Sequence, residues 1–390
     1  MEGQAASEAL AAWLRFALTP VSPARQRKLL AAFGLPESVF AQSHANLASV
    51  AGAEAAEALL AGPDPAAVDA ALAWAGEAGN GILTLADAAY PQNLLEIADP
   101  PPVLYVKGDP ALLGRPALAM VGSRTASAQG EIDAEAFARS LGVAGLVIVS
   151  GLAQGIDAAA HRGALAAAGG STVAVIGTGI DRIYPARNAK LAREIAVRGA
   201  IISEFPLGTP PVRHNFPRRN RLIAGLSLGV LVVEATLDSG SLITARLATE
   251  AGREVFAIPG SIHSPLARGC HRLIRQGAKL VETAEDVFEE LRGRLSNELP
   301  PRPAKAGSAR HPEPRAPRAG TPPAPANLAP EAVRVLETLG ADARDIDGLA
   351  LATGLGVDAL YAHLLTLELA GAVTRQPGGG FLRLHMSRDS

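Results

Sequence analysis

The sequence has a single cysteine and no apolar run long enough to span a membrane. Cys270 is its single cysteine, which excludes an internal disulfide and a metal site made of several thiolates. Its longest apolar runs, such as Leu228–Val233, have the length of a strand and are far shorter than a membrane span. Residues Met1–Leu10 contain Glu2 and Glu8 and lack the basic start and apolar core of a signal peptide. We therefore expect a cytoplasmic protein without membrane contact.

Aromatic residues are also scarce, at 4% of the chain, and the eight histidines are scattered along it. No cluster of metal-ligand residues stands out, so we expect neither a metal nor a cofactor. Alanine and glycine are plentiful instead. Apolar residues make up 48% of the 390 residues and charged residues 19%, which is typical of a folded chain with a sizeable core.

The formal net charge of -2 argues against a uniformly basic surface, but the cations are clustered. The segment from Arg213 to Arg221 contains four arginines and His214 and no acid. A second acid-free segment spans Ser261–Lys279, and its cations are Arg268, Arg272, Arg275 and Lys279. Charge runs are often only solvated faces, but beside glycine-rich turns they can also bind anions.

Four regions follow one another along the chain: residues 1–80, 81–296, 297–330 and 331–390. The first is rich in Ala and Leu with a helical period, which predicts a small helical domain of the SAM or helix-hairpin-helix kind. In the third, ten of the 31 residues from Pro300 to Pro330 are proline, which predicts an extended linker. The fourth is predicted to contain three helices and a hairpin, at Glu331–Leu339, Asp345–Thr353, Val357–Ala370 and Ala372–Leu384. This order is typical of a winged-helix domain.

The second region alternates strand-length apolar runs with helix-length, Ala-rich segments. The predicted strands are Ala117–Val121, Leu146–Val149, Thr172–Ile176, Ala200–Ser203, Val230–Val233, Glu254–Ile258 and Lys279–Val281, preceded by edge structure at Ile82–Leu85 and Val103–Val106. Nearly continuous apolar strands are covered on both faces. We therefore predict an α/β fold, an extended Rossmann-like doubly wound parallel sheet.

The turns after these strands meet at one edge of such a sheet, where ligands bind. These turns contain Gly122-Ser123-Arg124, Ser150-Gly151, Gly155, Gly177-Thr178-Gly179, Ser239-Gly240-Ser241 and Pro259-Gly260-Ser261. Glycine lets backbone N–H groups approach an anion, and helix N-termini add partial positive charge. Arg124 adds a planar fork suited to phosphate. The turns therefore predict a series of phosphate sites.

A dinucleotide enzyme would use the same sheet edge, but the local pattern differs. The first turn reads Gly-Ser-Arg rather than G-x-G-x-x-G, and the second strand ends in Ser150-Gly151 where a ribose-binding acid is expected. No P-loop sequence is present, so ATP hydrolysis is also unsupported.

Single-stranded DNA fits the residues better, because it offers consecutive phosphates and exposed base faces. The segment Pro210–Arg221 supplies cations, prolines that limit its freedom, and Phe216. We interpret this segment as a loop at the sheet edge. Phe216 either stacks on a base or anchors the loop to the sheet, and the sequence does not decide between the two.

Several longer motifs resemble the DprA (Smf) family. They are Val121-Gly122-Ser123-Arg124, Ser150-Gly151-x-Ala153-x-Gly155-Ile156-Asp157, Tyr184-Pro185-x-x-Asn188, Ser203-Glu204-Phe205-Pro206-x-Gly208, Phe216-Pro217-x-Arg219-Asn220-Arg221-x-Ile223-Ala224-Gly225-Leu226-Ser227 and Ser239-Gly240-Ser241-Leu242-Ile243-Thr244-Ala245. The resemblance covers roughly residues 80–292. It implies single-stranded DNA binding, homodimerisation, protection of incoming DNA and loading of the RecA recombinase in natural transformation, without catalysis.

Carried over by position, the resemblance implies DNA contacts by Gly122, Ser123, Arg124, Arg213 and Phe216. The turns and the basic segment add Ser150, Gly151, Gly155, Arg218, Arg219, Asn220, Arg221, Gly240 and Ser241 as expected DNA-binding residues.

The alternative is a nucleotide-processing hydrolase of the lysine-decarboxylase-like Rossmann type, although its Pro-Gly-Gly-x-Gly-Thr stretch is absent. In a hydrolase, Asp157 and His161 would pair near Ser150, or Glu204 and Glu234 would serve as acid and base. We favour structural roles instead, with Asp157 bonding backbone N–H groups at a helix start. For Glu204 and Glu234 we favour fixing a neighbouring arginine.

The third helix of a winged-helix domain normally enters the major groove with basic side chains. Here Val357–Ala370 contains Asp358, His363 and Glu368 and no Lys or Arg. Such a helix gains little from a phosphate backbone. Our hypothesis is that this domain mainly contacts protein or assists DNA binding only weakly.

Overall fold

The computed structural model describes residues 2–295, 329–339, 344–375 and 380–384. They form two compact units: one is built from residues 2–126 and 133–295, and the other from residues 127–132 together with the described residues between 329 and 384. Among the described residues, no single helix has the length and hydropathy needed to cross a membrane; two helices that meet at 105°, Ile346–Thr353 and Val357–Leu369, pass that test only as a pair.

The chain begins with six helices: α1 Glu2–Leu18, α2 Pro23–Phe33, α3 Pro36–Phe40, α4 His44–Ala51, α5 Ala53–Ala61 and α6 Pro65–Ala75. Proline or serine marks the start of several of these helices. Pro36 occupies the first turn of α3, and the Ser43 hydroxyl caps α4 by accepting a hydrogen bond from the Asn46 N–H at 3.3 Å.

These helices also pack against the sheet that follows. Leu14 of α1 and Val68 of α6 share a buried cluster with Tyr105 and Ile201 of the sheet. The N-terminal helices therefore belong to the same compact unit as the α/β region.

The sheet has nine strands: β1 Asn80–Thr84, β2 Val103–Gly108, β3 Ala117–Val121, β4 Val147–Ser150, β5 Thr172–Val175, β6 Ala200–Ser203, β7 Gly229–Val232, β8 Glu254–Ala257 and β9 Lys279–Leu280. Their order is β1-β2-β6-β5-β4-β3-β7-β8-β9. The pairs β1–β2 and β2–β6 are antiparallel and every other pair is parallel. The predicted doubly wound sheet is confirmed, and the structure shows that its predicted edge segments pair antiparallel.

Eight helices belong to this region: α7 Gln92–Leu95, α8 Ala128–Val143, α9 Ile156–Ala166, α10 Ala189–Arg198, α11 Asn215–Leu226, α12 Gly240–Glu250, α13 Arg268–Arg275 and α14 Ala284–Leu295. Alternate residues of β3 enter different cores: Leu118 and Met120 lie in one, Ala119 and Val121 in the other. The central strands β3 to β7 are thus covered on both faces, which is why they are almost entirely apolar.

The second unit contains α15 Pro330–Leu339, α16 Ile346–Thr353, α17 Val357–Leu369 and the hairpin strands β10 Val373–Arg375 and β11 Phe381–Arg383. It has its own buried cluster, which includes Val335, Leu349, Leu364 and Phe381. The predicted order of three helices and a hairpin is confirmed. Residues 297–328 of the predicted linker and residues 376–379 of the predicted hairpin lie outside the described residues.

Candidate nucleic-acid interface

The strand order reverses between β3 and β7, because the chain leaves β3 toward β4 and later returns to the opposite side of β3 with β7. In open parallel sheets such a switch point opens a crevice beyond the carboxyl ends of the strands. A cavity of about 370 Å³ lies at this point. The predicted residues that line it are Gly122, Ser123, Arg124, Phe216, Arg219, Asn220, Gly240 and Ser241.

The first turn, after β3, is fixed by its contact with the start of α9. A Cβ on Gly122 would lie 2.6 Å from Cγ1 of Ile156, and Gly155 has a φ of +70° with the Ser123 carbonyl where a side chain would be. The Ile156 N–H also donates to the Ser123 carbonyl at 3.2 Å. Packing therefore requires both glycines, and it holds the backbone before Arg124 in one conformation.

The N-terminus of α12 forms the opposite wall of the cavity. Ser239 caps this helix, accepting a hydrogen bond from the Ser241 N–H at 3.3 Å, and the two hydroxyl oxygens are 2.6 Å apart. A Cβ on Gly240 would meet no atom within 4 Å. Gly240 therefore leaves open space beside a helix N-terminus, which favours an anion.

The second turn, after β4, is directed inward. Ser150 is fully buried and its hydroxyl donates to the Met120 carbonyl at 2.6 Å. The Asp157 carboxylate accepts hydrogen bonds from the N–H groups of Gly151 at 3.1 Å and Ala153 at 3.3 Å. Asp157 thus bonds backbone N–H groups as predicted, but these belong to the turn before α9 and not to the helix itself. Ser150 and Gly151 are buried, so neither residue is accessible to a DNA strand.

The basic segment is not a loop over its whole length, so that prediction is wrong for residues 215–221. They form the first two turns of α11. Pro217 lies in the first turn, where its missing N–H leaves no helical hydrogen bond unmade. Because successive residues point about 100° apart around a helix, the arginines separate: Arg218 is exposed, whereas Arg219 and Arg221 are buried. Arg213, ahead of the helix, is exposed.

Arg219 lies under the cavity and joins the ends of two strands. Its guanidinium donates to the Gly151 carbonyl at 2.7 Å and to the Val175 carbonyl. A Cβ on Gly151 would overlap this guanidinium. Burial lowers the pKa of Arg219 to about 10, although the nearby Asp157 carboxylate opposes that shift. Burial raises the pKa of Asp157, and the Arg219 charge opposes it.

Arg221 and Arg218 converge on Glu204, whose side chain is 2% exposed. One carboxylate oxygen, Oε2, accepts from Arg221 at 2.6 Å and from Arg218 at 2.9 Å. Arg221 also pairs with Asp99 at 3.0 Å. Burial raises the pKa of Glu204 and the two arginines oppose that shift. The prediction that Glu204 fixes a neighbouring arginine is confirmed.

Phe216 packs on the sheet edge and also contacts an aromatic and a cationic side chain. Its ring is half-buried, and a Cβ on Gly177 would lie 3.0 Å from Cδ1 of this ring, so one side of it packs on the sheet edge. The Tyr184 ring lies 5.6 Å from the Phe216 ring at 42°, and the Arg124 guanidinium lies 5.7 Å from the Phe216 centroid. Tyr184 is 48% exposed. Arg124, Phe216 and Tyr184 therefore form a continuous cationic and aromatic surface.

Tyr184 and Arg187 are site candidates that the sequence analysis did not select. Arg187 is exposed and donates to the Gln154 side chain at 2.7 Å. The Asn188 amide joins the same segment to the second turn by donating to the carbonyls of Leu152 at 2.9 Å and Ala153 at 3.1 Å. The motif Tyr184-Pro185-x-x-Asn188 was the signal for this segment.

The second basic cluster does not join this surface. Arg272 and Lys279 line a different cleft of about 770 Å³, between α12 and the strands β8 and β9. The acids Asp238 and Glu290 share that cleft, and Lys279 pairs with Glu290 at 3.4 Å. Of the two clusters, only the first contributes an arginine, Arg219, to the lining of the cavity at the switch point.

The hydrolase interpretation of His161 is not supported by its contacts. His161 is fully buried, with Nδ1 2.7 Å from the Thr172 hydroxyl oxygen. Because that hydroxyl donates to the Ile148 carbonyl, Nδ1 must donate to it and Nε2 is the unprotonated nitrogen. Burial lowers the pKa of His161 to about 3, and the Arg219 charge acts in the same direction. The imidazole is therefore neutral, and Ser150 donates elsewhere.

We expect the buried imidazole to make stability depend on pH. The ordinary pKa of 6.5 applies to the unfolded chain and the value of about 3 to the folded one. The stabilisation is complete above pH 6.5 and is lost as the pH falls. Relative to His161→Gln, the free energy of unfolding should fall by about 1.4 kcal/mol per pH unit between pH 6 and 4.

Urea denaturation of both proteins at several pH values measures this difference. Asp157, with its raised pKa, shifts stability in the opposite direction, but it is present in both proteins and cancels. A difference that does not change with pH would contradict the assignment.

Comparison with known proteins agrees with the sequence motifs. Residues 81–292 match the family model for DNA recombination-mediator protein A. Residues 319–379 match the DprA winged helix domain, which confirms the predicted fold of the C-terminal unit. The resemblance identified in the sequence is thereby confirmed.

Similar proteins cover most of the chain. Protein Smf of Escherichia coli is 41% identical over 318 residues, which are 81% of each chain. The X-ray structure of DNA processing protein A from Streptococcus pneumoniae has a TM-score of 0.63 at 41% identity and covers 71% of this chain and 95% of that one. A structure of DNA processing protein A from Helicobacter pylori, described for its single-stranded DNA binding mode, has a TM-score of 0.50 at 32% identity and covers 55% and 96%.

Proposed function

This chain belongs to the DNA recombination-mediator protein A family, and from that premise we propose that it binds single-stranded DNA along the carboxyl edge of its sheet. The observation that carries the proposal is the convergence, at one switch point, of an open helix N-terminus with an exposed guanidinium and two aromatic rings. Phosphates and exposed bases are the two features that these groups recognise.

In this proposal the exposed residues contact the strand and the buried residues hold them in place. Arg124, Arg213 and Arg218 neutralise phosphates, Phe216 and Tyr184 stack on bases, and the wall of Gly122, Ser123, Asn220, Gly240 and Ser241 receives a phosphate. The supporting residues are Ser150, Gly151, Gly155, Arg219 and Arg221. A duplex keeps its base faces stacked inside, so it would lose the aromatic contacts.

We further propose that the bound strand is protected and passed to a recombinase, RecA, as in natural transformation. The family is one of recombination mediators, and the H. pylori relative is described as binding single-stranded DNA. A protein that hands strands to a recombinase would work in the cytoplasm, and we propose that it does so as a homodimer. Sedimentation equilibrium of the full chain tests the dimer, and a mass of one chain at micromolar concentration would exclude it.

We propose that the chain works without catalysis. Two of the carboxylates considered for the hydrolase are committed to other contacts, Glu204 to two arginines and Asp157 to two backbone N–H groups. Release of a free base from nucleoside monophosphates by the purified chain would favour the hydrolase alternative instead.

Arg124→Ala should weaken binding of oligo-dT by roughly tenfold, about 1.4 kcal/mol, because it removes an exposed cation at the cavity. It should also make the slope of log K against log salt shallower, by about 0.7 if one phosphate contact is lost. Fluorescence anisotropy over a salt series measures both, with an equal duplex expected to bind more weakly than the single strand.

Arg193→Ala is the matched control, because Arg193 is an exposed arginine of α10. Equal losses in the two variants would show only a general charge effect. Equal affinity of the unmutated chain for oligo-dT and for the duplex would contradict the proposal.

Phe216→Ala should weaken oligo-dT binding by about 1–3 kcal/mol if the ring stacks on a base. Thermal unfolding of the same variant reports the packed side of the ring. A lower melting temperature with unchanged affinity would assign Phe216 to anchoring alone. Tyr184→Ala, on the more exposed ring, should keep stability and still weaken binding.

RecA should assemble faster on single-stranded DNA covered by a strand-binding protein when this chain is present. Arg124→Ala should remove most of that acceleration, because loading requires the bound strand. ATP hydrolysis by RecA reports assembly. If the unmutated chain does not accelerate RecA assembly, the loading role is rejected. Binding of single-stranded DNA is tested separately by the oligo-dT titration.

A further inference from the structure

Helix α17 presents an apolar stripe that its own unit does not cover. Val357, Tyr361, Leu365 and Leu369 follow one another at intervals of four residues, so they lie along one side of the helix. They are 44%, 44%, 58% and 83% exposed, respectively. The core of the unit uses a different side of α17, formed by Leu360, Leu364 and Leu367. The helix is thus apolar on two sides and buries one.

The stripe is held in place by the rest of the unit. The Tyr361 ring meets the Phe381 ring edge-on, with centroids 6.3 Å apart at 72°, and Phe381 is buried in the hairpin. The buried leucines of α17 fix its rotation. A partner would therefore meet an ordered surface, which lowers the entropic cost of binding.

Acidic side chains flank the stripe. Asp358 precedes Tyr361 by three residues and Glu368 follows Leu365 by three, so both acids share its side of the helix. Lys and Arg are absent from α17. This charge opposes DNA phosphates and anionic lipid headgroups, and it complements a basic partner.

Pairing with a second copy through the same stripe would oppose like charges. A two-fold antiparallel pair centred on His363 places Asp358 against Glu368, and a parallel pair places each acid against itself. The chain's own basic linker is also a poor occupant, because residues 300–327 contain no Val, Ile, Leu, Met or aromatic side chain. The stripe requires large apolar groups and cations together.

We propose that α17 docks an amphipathic helix of another protein, with apolar residues every three or four positions and Lys or Arg beside them. Laying an apolar helix face against an apolar surface is a common mode of peptide recognition. The acids at either end of the stripe would set the position of the partner helix and select against acidic ones.

The test uses the full chain and a fluorescent synthetic helix of 18 residues, with leucines at a helical spacing and lysines flanking them. Anisotropy should show saturable binding to the unmutated chain. Leu365→Ser with Leu369→Ser should weaken it by about tenfold or more. Both side chains are exposed, so the fold and the affinity for oligo-dT should be unchanged. Val197→Ser, which removes an 85% exposed apolar residue from α10, is the matched control and should bind normally.

Charge reversal provides the second arm. Asp358→Lys with Glu368→Lys should weaken binding of the lysine-flanked peptide and strengthen binding of a glutamate-flanked version. The preference of the chain between the two peptides should therefore reverse. Equal binding of a scrambled peptide, or no effect of the serine variants, would overturn the proposal.

Three further outcomes would also overturn it, because each assigns the stripe to another occupant. They are stripe-dependent binding to vesicles of phosphatidylcholine and phosphatidylglycerol, a concentration-dependent dimer that the serine variants abolish, and a loss of oligo-dT affinity in those variants. The proposed strand binding at the sheet edge is tested separately by Arg124→Ala and does not depend on this result.

Discussion

The candidate site depends on a charge buried beneath it. The Arg219 guanidinium is held between the carbonyls of Gly151 and Val175, at the ends of β4 and β5. A buried charge is costly unless its donors are satisfied and an opposite charge is near. Here strand-end carbonyls satisfy two of its hydrogen bonds and the Asp157 carboxylate supplies the opposite charge. Asp157 also accepts hydrogen bonds from the turn after β4. The pair Arg219 and Asp157 therefore fixes the ends of the neighbouring strands β4 and β5.

The same connection explains why so many glycines lie at this edge. The sequence suggested that they admit an anion, but the structure gives most of them a packing role. Gly151 makes room for the Arg219 guanidinium, Gly122 for Ile156, and Gly177 for the Phe216 ring. Gly240 is different, because open space surrounds it. A glycine in a phosphate-like turn is therefore ambiguous from sequence alone, since the competing contact comes from a residue distant in the chain.

The strands could be predicted to within one or two residues because buried parallel strands are continuous apolar runs, and the order of elements followed from the alternation with helices. The conformation of the basic segment, residues 213–221, could not be predicted in this way. Two prolines before it and one within it suggested a loop, whereas Pro217 is compatible with a first helical turn. Once the segment is a helix, the burial of Arg219 and Arg221 depends on which side of the helix faces the sheet. The number of arginines in the sequence does not reveal which of them lie on that side. Tyr184 was missed for the opposite reason, since its partner Phe216 is far away in sequence.

The two units have opposite surface chemistry, and this separates their roles. At the sheet edge the exposed groups are guanidinium and aromatic, which suits a strand whose phosphates repeat and whose bases are free. On α17 they are aliphatic and acidic, so a phosphate backbone is repelled there and an apolar, basic protein segment is attracted. Single-stranded DNA and a protein partner would thus not compete for the same surface. Under the two proposals, DNA and a protein partner bind to different surfaces, because the helices of the two units leave different side chains exposed.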